Sequence, residues 1–165
     1  MKNNVIKYSH LFRLVIIAFA LFPLAGTAQN KKDKKAEIKS IVEAQNYVFK
    51  AQSALPTAGA VRQLNGDYDL RISKDTILSD LPYFGRAYTA PLNPSEGPLR
   101  FTSTEFQYSI ATRKKGGWNV TITPKDVQDP RQLNISIFDN GTASVVVTSY
   151  NRQPISFNGY VTAQK

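Results

Sequence analysis

Short runs of alternating apolar and polar residues fill most of this chain, and this period of two constrains its fold more than any other feature. In the clearest run, Tyr68, Leu70 and Ile72 alternate with polar residues. Because successive side chains of a strand point to opposite faces of a sheet, such a run predicts a strand with one buried face. No helical pattern separates the runs, so we expect antiparallel connections rather than parallel crossovers.

The runs predict strands at 47–55, 67–73, 76–81, 99–113, 118–122, 133–137, 143–150 and 155–161. The run 99–113 is compatible with one long strand or two short ones. Asn65-Gly66 predicts a tight hairpin turn, because both residues tolerate positive φ. Val145, Val146 and Val147 are consecutive, which indicates a strand that is buried on both faces.

One helix is predicted ahead of the strands. Ile38, Ile41 and Val42 recur at helical spacing, with Asp33 as the N-cap of a helix that begins near Lys34 and fades around residue 46. The sequence therefore predicts a mainly β (α+β) fold. We expect a curved antiparallel meander or partly closed barrel of about eight strands, with the helix covering an end or one face.

Residues 1–28 have the pattern of a signal peptide. Lys2, Lys7 and Arg13 precede an apolar run, and Gly26-Thr27-Ala28 predicts cleavage before Gln29. The apolar run is short for a membrane span, although a retained N-terminal anchor is the alternative. We expect an exported protein, periplasmic or extracellular, that is soluble without a membrane span after cleavage. No cysteine follows the apolar run, so a lipoprotein anchor is not expected.

The predicted mature chain has a basic tail, residues 29–35, and a single β-rich domain, residues 36–165. The chain carries a net charge of +9, and residues 1–28 hold three of its 21 basic residues and none of its 12 acidic ones, which leaves +6. Four lysines between positions 31 and 35 crowd the new N-terminus, which is typical of a flexible solvated tail. Without a basic stripe in the domain, nucleic acid is not expected as a partner.

Two missing residue types limit the chemistry of the predicted domain. The chain has no cysteine, and its single histidine, His10, lies in the predicted signal peptide. Disulfides, thiol nucleophiles, Ser-His-Asp catalysis and most zinc sites are therefore excluded from the domain. We predict no metal, no cofactor and no catalytic residue. A hydrolase using two carboxylates is the remaining enzymatic alternative, since its geometry is not visible in a sequence.

The candidate ligand-binding residues centre on the segment 81–91, Leu-Pro-Tyr-Phe-Gly-Arg-Ala-Tyr-Thr-Ala-Pro. Its two prolines argue against a central strand, and Gly85 permits backbone angles that other residues resist. Arg86, flanked by Tyr83, Phe84 and Tyr88, is either an anion clamp held by stacking or a structural arginine that bonds loop carbonyls.

Two further residues join the candidate site. Arg152 either faces the same pocket mouth as Arg86 or is a solvated turn residue. Trp118 is either a binding platform or a core residue, because indoles are usually buried.

Four phrases of the sequence resemble a known family. They are Phe-Lys-Ala-Gln-Ser-Ala-Leu-Pro at 49–56, the segment 81–91, Gly-Gly-Trp at 116–118 and Asn-Arg-Gln-Pro-Ile-Ser-Phe-Asn-Gly at 151–159. Together they resemble the domain of unknown function (DUF) 4251 family of exported bacterial proteins, over about residues 41–161. The resemblance implies an exported domain of this size and brings no reaction, ligand or catalytic residue with it.

These observations predict an exported, non-enzymatic β-domain that binds a small apolar or anionic ligand or an envelope protein. The alternatives are the carboxylate hydrolase and an inhibitor or assembly factor that acts through a protein surface.

Overall fold

The computed structural model describes residues 25–88 and 99–164. They form one helix and ten strands: α1 (Ala25–Glu43), β1 (Tyr47–Pro56), β2 (Arg62–Gln63), β3 (Asp69–Ile72), β4 (Ile77–Leu81), β5 (Leu99–Ser103), β6 (Phe106–Thr112), β7 (Trp118–Pro124), β8 (Gln132–Ile137), β9 (Thr142–Thr148) and β10 (Ile155–Ala163). Residues 1–24 of the predicted signal peptide, and residues 89–91 of the candidate binding segment, lie outside the described residues.

The chain divides into two compact units, residues 1–33 and residues 34–165. Of the first unit the structure describes residues 25–33, all of which are helical. The predicted helix start near Lys34 is therefore wrong, and residues 29–35, predicted as a flexible tail, lie within α1. Lysine and alanine are frequent in α1 and favour helix. The helix ends close to its predicted position, where Gln45 adopts a φ of 51°.

The strands of the second unit form one antiparallel meander in the order β5-β4-β3-β1-β10-β9-β8-β7-β6, with the short β2 beside β1. The meander curves back on itself because β1 pairs with β10 along its whole length. The result is a nearly closed, barrel-like antiparallel sheet with one helix, as the sequence predicted.

The gap in the barrel lies between β5 and β6, which are separated in sequence only by Thr104 and Glu105. Eight antiparallel pairings along the sheet connect these strands, so both run in the same direction. β6 therefore continues the path of β5. The first part of this path, β5, pairs with β4, and the second part, β6, pairs with β7. The predicted long strand at 99–113 is thus a bent strand, with a kink at 104–105, that nearly completes the barrel.

The core fills the inner face of the sheet. Ile38 and Val42 of α1 are fully buried and pack with the inward side chains of the strands. The largest fully buried side chains are Tyr47, Phe49, Phe157, Ile38, Leu70, Ile72, Ile77, Leu81, Leu99, Ile122, Leu133 and Ile135. Their burial along alternating strand positions is the main source of stability, at about 25 cal/mol per Å² of apolar surface.

Two sequence expectations about the sheet are wrong. Asn65-Gly66 does not close a hairpin, because β2 and β3 both pair with β1 and leave residues 64–68 as the loop between them. In β9, Val145 and Val147 are buried, whereas Val146 is 37% exposed, so only one face of this strand is covered. A run of three valines reflects β-propensity here rather than burial on both sides.

A bulge also interrupts the predicted alternation of β1. The register with β10 shifts between Ala51 and Ser53, which leaves Gln52 as the extra residue. Ser53 and Ala54 are consequently both buried, although they are adjacent in the strand.

Candidate functional site

The segment that follows β4 is held against the connection between β9 and β10. Ala87 forms an antiparallel bridge with Arg152, and the Tyr88 amide donates to the carbonyl of Asn151 at 2.7 Å. The amide of Gln153 donates to the Arg86 carbonyl at 3.1 Å. Residues 83–88 therefore cross the end of the barrel as a pinned strand-like segment, outside the main sheet.

The side chain of Tyr83 anchors this segment. Its hydroxyl lies 3.0 Å from the carbonyl oxygens of both Arg86 and Gln153, to which it can donate its proton. The pKa of Tyr83 is raised, chiefly because burial disfavours the phenolate. A Cβ on Gly85 would lie 2.5 Å from the Tyr83 hydroxyl, and Gly85 is not among the glycines with positive φ. Glycine is thus required for space rather than for the unusual backbone angles that we predicted.

Arg86 is exposed, and its hydrogen bonds to other described residues involve its backbone. The position of its backbone is therefore fixed by Tyr83 and Gln153. The guanidinium lies on the surface of a rigid segment, at the end of the barrel.

Arg152 is not the solvated turn residue of the alternative interpretation. Its side chain is only 12% exposed, and its Nε lies 3.6 Å from Oδ2 of Asp129, which is 14% exposed. The guanidinium carbon lies 5.6 Å from the ring centroid of Tyr83. Among the described residues, neither carboxylate oxygen of Asp129 nor Nη1 of Arg152 has a hydrogen-bond partner. The two charges are therefore largely buried and only partly satisfied by one another.

Two more arginine–aromatic pairs involve residues that are close in sequence to these. Arg62 lies over Phe84 at 4.8 Å from the ring centroid, and Arg131 lies over Tyr150 at 5.5 Å. We call the three pairs together the arginine–aromatic strip: Arg62, Phe84, Tyr83, Arg152, Arg131 and Tyr150. Stacking restricts the guanidinium groups, and those of the exposed Arg62 and Arg131 keep donors available for an anion.

The strip carries more positive than negative charge. Arg86 is adjacent to it, and Asp129 is the carboxylate that the described contacts place within it. Tyr88 and Tyr150 are 69% and 66% exposed, so aromatic surface is available beside the arginines. The chemistry suits a ligand that combines negative charge with apolar surface.

Trp118 does not belong to this site. It is 5% exposed and lies in the core, in agreement with the second of the two interpretations. It pairs with Ile137, which pairs with Ala143 near the start of β9, whereas Arg152 follows the end of that strand. The two residues are therefore at opposite ends of the sheet.

The carboxylates of the described residues are mostly engaged in structural contacts. Asp69, which we expected on the solvent face, is 4% exposed and lies within 3.0 Å of Lys50 and 3.2 Å of Arg71. Asp126 accepts hydrogen bonds from Ser103, Thr104 and Glu105. Within the ranges 25–88 and 99–164, no group of acidic side chains has metal-binding geometry. Over the same ranges, no helix has both the length and the apolar character needed to cross a membrane.

Sequence reasoning found half of the strip and missed Arg62, Arg131, Tyr150 and their neighbour Asp129. No residue of the stretch 126–131 was among the predicted site residues. Its Asp-Pro-Arg element brings one carboxylate to Arg152 and one guanidinium to Tyr150. The chain separation between these pairs gives no sequence signal for their contact.

In the part of the chain that the structure describes, fold and site together define an antiparallel meander barrel with one helix and an arginine–aromatic surface at one end. The family model described as "Domain of unknown function (DUF4251)" matches residues 29–161, most of the chain. The chain therefore belongs to this family, as its sequence phrases indicated.

A solved structure shows the same fold. The chain is similar to the crystal structure of a DUF4251 family protein from Bacteroides eggerthii, with a TM-score of 0.58 and 12% sequence identity. The match covers 79% of this chain and 87% of that chain. At this identity the likeness concerns the fold alone. No curated protein matches the chain significantly.

Proposed function

We propose that this protein is an exported, non-enzymatic binding domain whose arginine–aromatic strip holds a small anionic ligand. The observation that carries this proposal is the repetition of one kind of contact. Three guanidinium–ring pairs are formed by residues 62, 83–84, 131 and 150–152, close in sequence to the exposed Arg86. Such an arrangement presents several cationic donors in fixed positions, which lowers the entropic cost of binding.

Export is supported by the signal-peptide pattern of residues 1–28. N-terminal sequencing of the protein recovered from cell fractions tests this part. We expect a mature chain that begins at Gln29 in the periplasmic or extracellular fraction. An uncleaved chain in the cytoplasm would contradict export.

The non-enzymatic role is supported by residue chemistry. The predicted mature chain has neither cysteine nor histidine. Asp80 and Asp139 form ion pairs with Arg100 and Lys35, and Asp69 and Asp126 are held by the contacts described above. These contacts engage the carboxylates in structural ion pairs and hydrogen bonds, which favours a structural role over acid–base chemistry.

The test is a titration of the purified protein with phenyl phosphate, taurocholate and oleate, monitored by calorimetry at low and high salt. We expect saturable binding of at least one probe, weakened by salt because counterions screen the exposed arginines. Replacing Arg86 and Arg131 by glutamate should weaken binding by at least about tenfold, or about 1.4 kcal/mol.

The matched control replaces Lys114 and Lys115 by glutamate. These residues follow β6 at the opposite end of the barrel, and the charge change is the same. Equal loss of affinity in both variants would indicate attraction to net charge and contradict a site at the strip. Absence of binding to all three probes would contradict the small-ligand proposal.

An envelope protein is the second candidate partner, and the exposure of Tyr88 and Tyr150 favours it. Tyrosine and arginine are enriched at the centres of protein interfaces. If the three probes fail, crosslinking through a photoreactive residue at position 150 in the intact cell distinguishes this candidate from an unoccupied surface.

A further inference from the structure

A concave surface, separate from the strip, lies on the outer face of the sheet beside the bulge of β1. Its cavity volume is about 430 Å³, and it is open to solvent. The lining side chains come from three elements: Lys50 and Gln52 of β1, Tyr160 of β10, and Asn65, Asp67 and Tyr68 of the loop between β2 and β3. We call this surface the outer concavity. The strip residues do not line it.

The backbone around the outer concavity is tightly fixed. The amide of Ala51 donates to the carbonyl of Tyr68, and the amide of Leu64 donates to the carbonyl of Gln52, each at 2.9 Å. Both ends of the loop are therefore bonded to the bulged part of β1. A Cβ on Gly66 would lie 3.0 Å from the ring of Tyr68, so this ring packs against the turn of the loop.

The bulge that shapes the concavity depends on a close approach between strands. A Cβ on Gly159 would overlap with the carbonyl oxygen of Lys50, so only glycine fits at this position of β10. The extra residue, Gln52, then projects from the outer surface, where it is exposed. Bulges of this kind often redirect a side chain next to a binding site.

The charges around the outer concavity balance one another. Nζ of Lys50 lies 3.0 Å from Asp69 and 3.9 Å from Asp67, and Arg71 also contacts Asp69. Lys50 and Asp67 are therefore the two charged side chains that line the outer concavity, and the buried Asp69 holds the Lys50 ammonium in place. No strong field of either sign is present to attract an ion.

The remaining groups are suited to a neutral, polyhydroxylated molecule. The amides of Gln52 and Asn65 offer both donors and acceptors, and Asp67 offers a fully exposed carboxylate. Tyr160, which is 42% exposed, lies opposite Lys50 across the strand pair, and the half-buried Tyr68, which also packs against the core, lines the concavity as well. Rings bind the C–H faces of a sugar, while mixed donors and acceptors bind its hydroxyl groups.

We propose that the outer concavity is a binding site for a neutral saccharide. The rings of Tyr160 and Tyr68 form its apolar walls, and Gln52, Asn65 and Asp67 bind the hydroxyl groups. This site is separate from the strip, and its ligand carries no charge.

The experiment titrates the purified protein with four neutral tetrasaccharides, namely those of cellulose, starch, xylan and chitin, observed by protein NMR. Because open polar sites bind sugars weakly, the titration extends to about 10 mM. We expect at least one tetrasaccharide to bind with an affinity that does not change between low and high salt. Tyr160→Ala should weaken that binding by at least about tenfold.

Two further variants keep the test decisive. Asp67→Ala changes a fully exposed side chain, so it should leave the fold intact and weaken binding at least severalfold, even if Tyr160→Ala were to disturb β10. Tyr150→Ala removes an exposed tyrosine of the strip, and its affinity for the sugar should match that of the unchanged protein.

Failure of all four tetrasaccharides to bind, or equal affinity in the Asp67 and Tyr150 variants, would overturn the proposal. Neither result bears on the anionic ligand of the strip, which is recognised by its salt dependence and by the arginine variants.

Discussion

The carboxylate of Asp126 accepts a hydrogen bond from the hydroxyl of Ser103 and so links the end of β7 to the end of β5. The same carboxylate accepts the amides of Thr104 and Glu105 at 2.7 and 3.1 Å. These residues form the kink between β5 and β6, where the barrel is not closed by strand pairing. Asp126 therefore fixes the bend that lets one long strand pair with β4 and then with β7.

Replacing Asp126 by asparagine should destabilise the protein in a pH-dependent way. Hydrogen bonds from Ser103 and from the backbone of Thr104 lower the pKa of Asp126 in the folded state. The resulting stability is complete above the unfolded pKa of about 3.9 and is lost as pH falls toward the lowered value. Urea unfolding between pH 7 and pH 2 should show the difference between the two proteins shrinking as pH falls.

The control for this experiment is Asp75→Asn, which changes an exposed residue in the turn between β3 and β4. Its stability difference from the unchanged protein should be small at every pH. A pH-independent cost for Asp126→Asn would contradict the role assigned to the ionised carboxylate.

Gly159→Ala should destabilise the protein by about 2–3 kcal/mol or more, because the added Cβ would overlap with the backbone of Lys50. Gly66→Ala meets only the ring of Tyr68, which can shift, so its cost should be about 1 kcal/mol or less. Guanidinium unfolding measures both values. Equal costs would show that the strands around the bulge can separate freely, contrary to the close approach described above.

Removing Arg152 should cost about 2–4 kcal/mol of folding free energy, because Asp129 would remain largely buried without its cation. The double variant with alanine at both positions should cost less than the sum of the single variants by at least about 1 kcal/mol. The pair Arg100–Asp80 is a suitable comparison, since its side chains are 60% and 46% exposed. Its coupling should be about 0–1 kcal/mol. Additive costs at Arg152 and Asp129 would argue against a coupled pair.

High pH should destabilise the protein partly through Tyr47. Burial, and then the neighbouring Tyr108, raise the pKa of Tyr47 well above its usual range. Above about pH 10 the phenol ionises in the unfolded chain but not in the folded one, so stability falls by up to about 1.4 kcal/mol per pH unit. Tyr47→Phe should flatten this fall in urea unfolding between pH 9 and pH 11. An unchanged slope in this variant would contradict the role assigned to Tyr47.

The strands and the class of fold could be predicted because the period of two directly reflects burial. Residues such as Val120, Ile122, Leu133 and Ile135 are apolar at alternating positions and are buried at those positions. The helix start was misplaced because local propensity gives no sharp N-terminal signal between Ala25 and Lys34. The hairpin turn predicted at Asn65-Gly66 was wrong for another reason. A long β1 can pair with two short strands in succession, and no local signal of the sequence distinguishes this from a hairpin.

The candidate site was only partly predictable for a related reason. Tyr83, Phe84 and Arg86 were found because they cluster within a few residues. The contact of Arg152 with Asp129, and that of Arg62 with Phe84, depend on how loops meet at the end of the barrel. Such contacts have no local sequence pattern, so the sequence alone does not predict which residues form the strip. The outer concavity likewise depends on a register shift at Gln52 that the alternation of β1 conceals.

The most direct test of the anionic site is an NMR titration of the isotope-labelled protein with phenyl phosphate. We expect saturable shifts of the backbone amides at residues 83–88 and 151–153, which border the strip, and of the Arg131 amide. The β6–β7 turn, at the opposite end of the barrel, should remain unchanged. Shifts that are confined to this turn or to the lysines of α1 would contradict an anion-binding site at the strip. Shifts that grow linearly without saturation would contradict it as well.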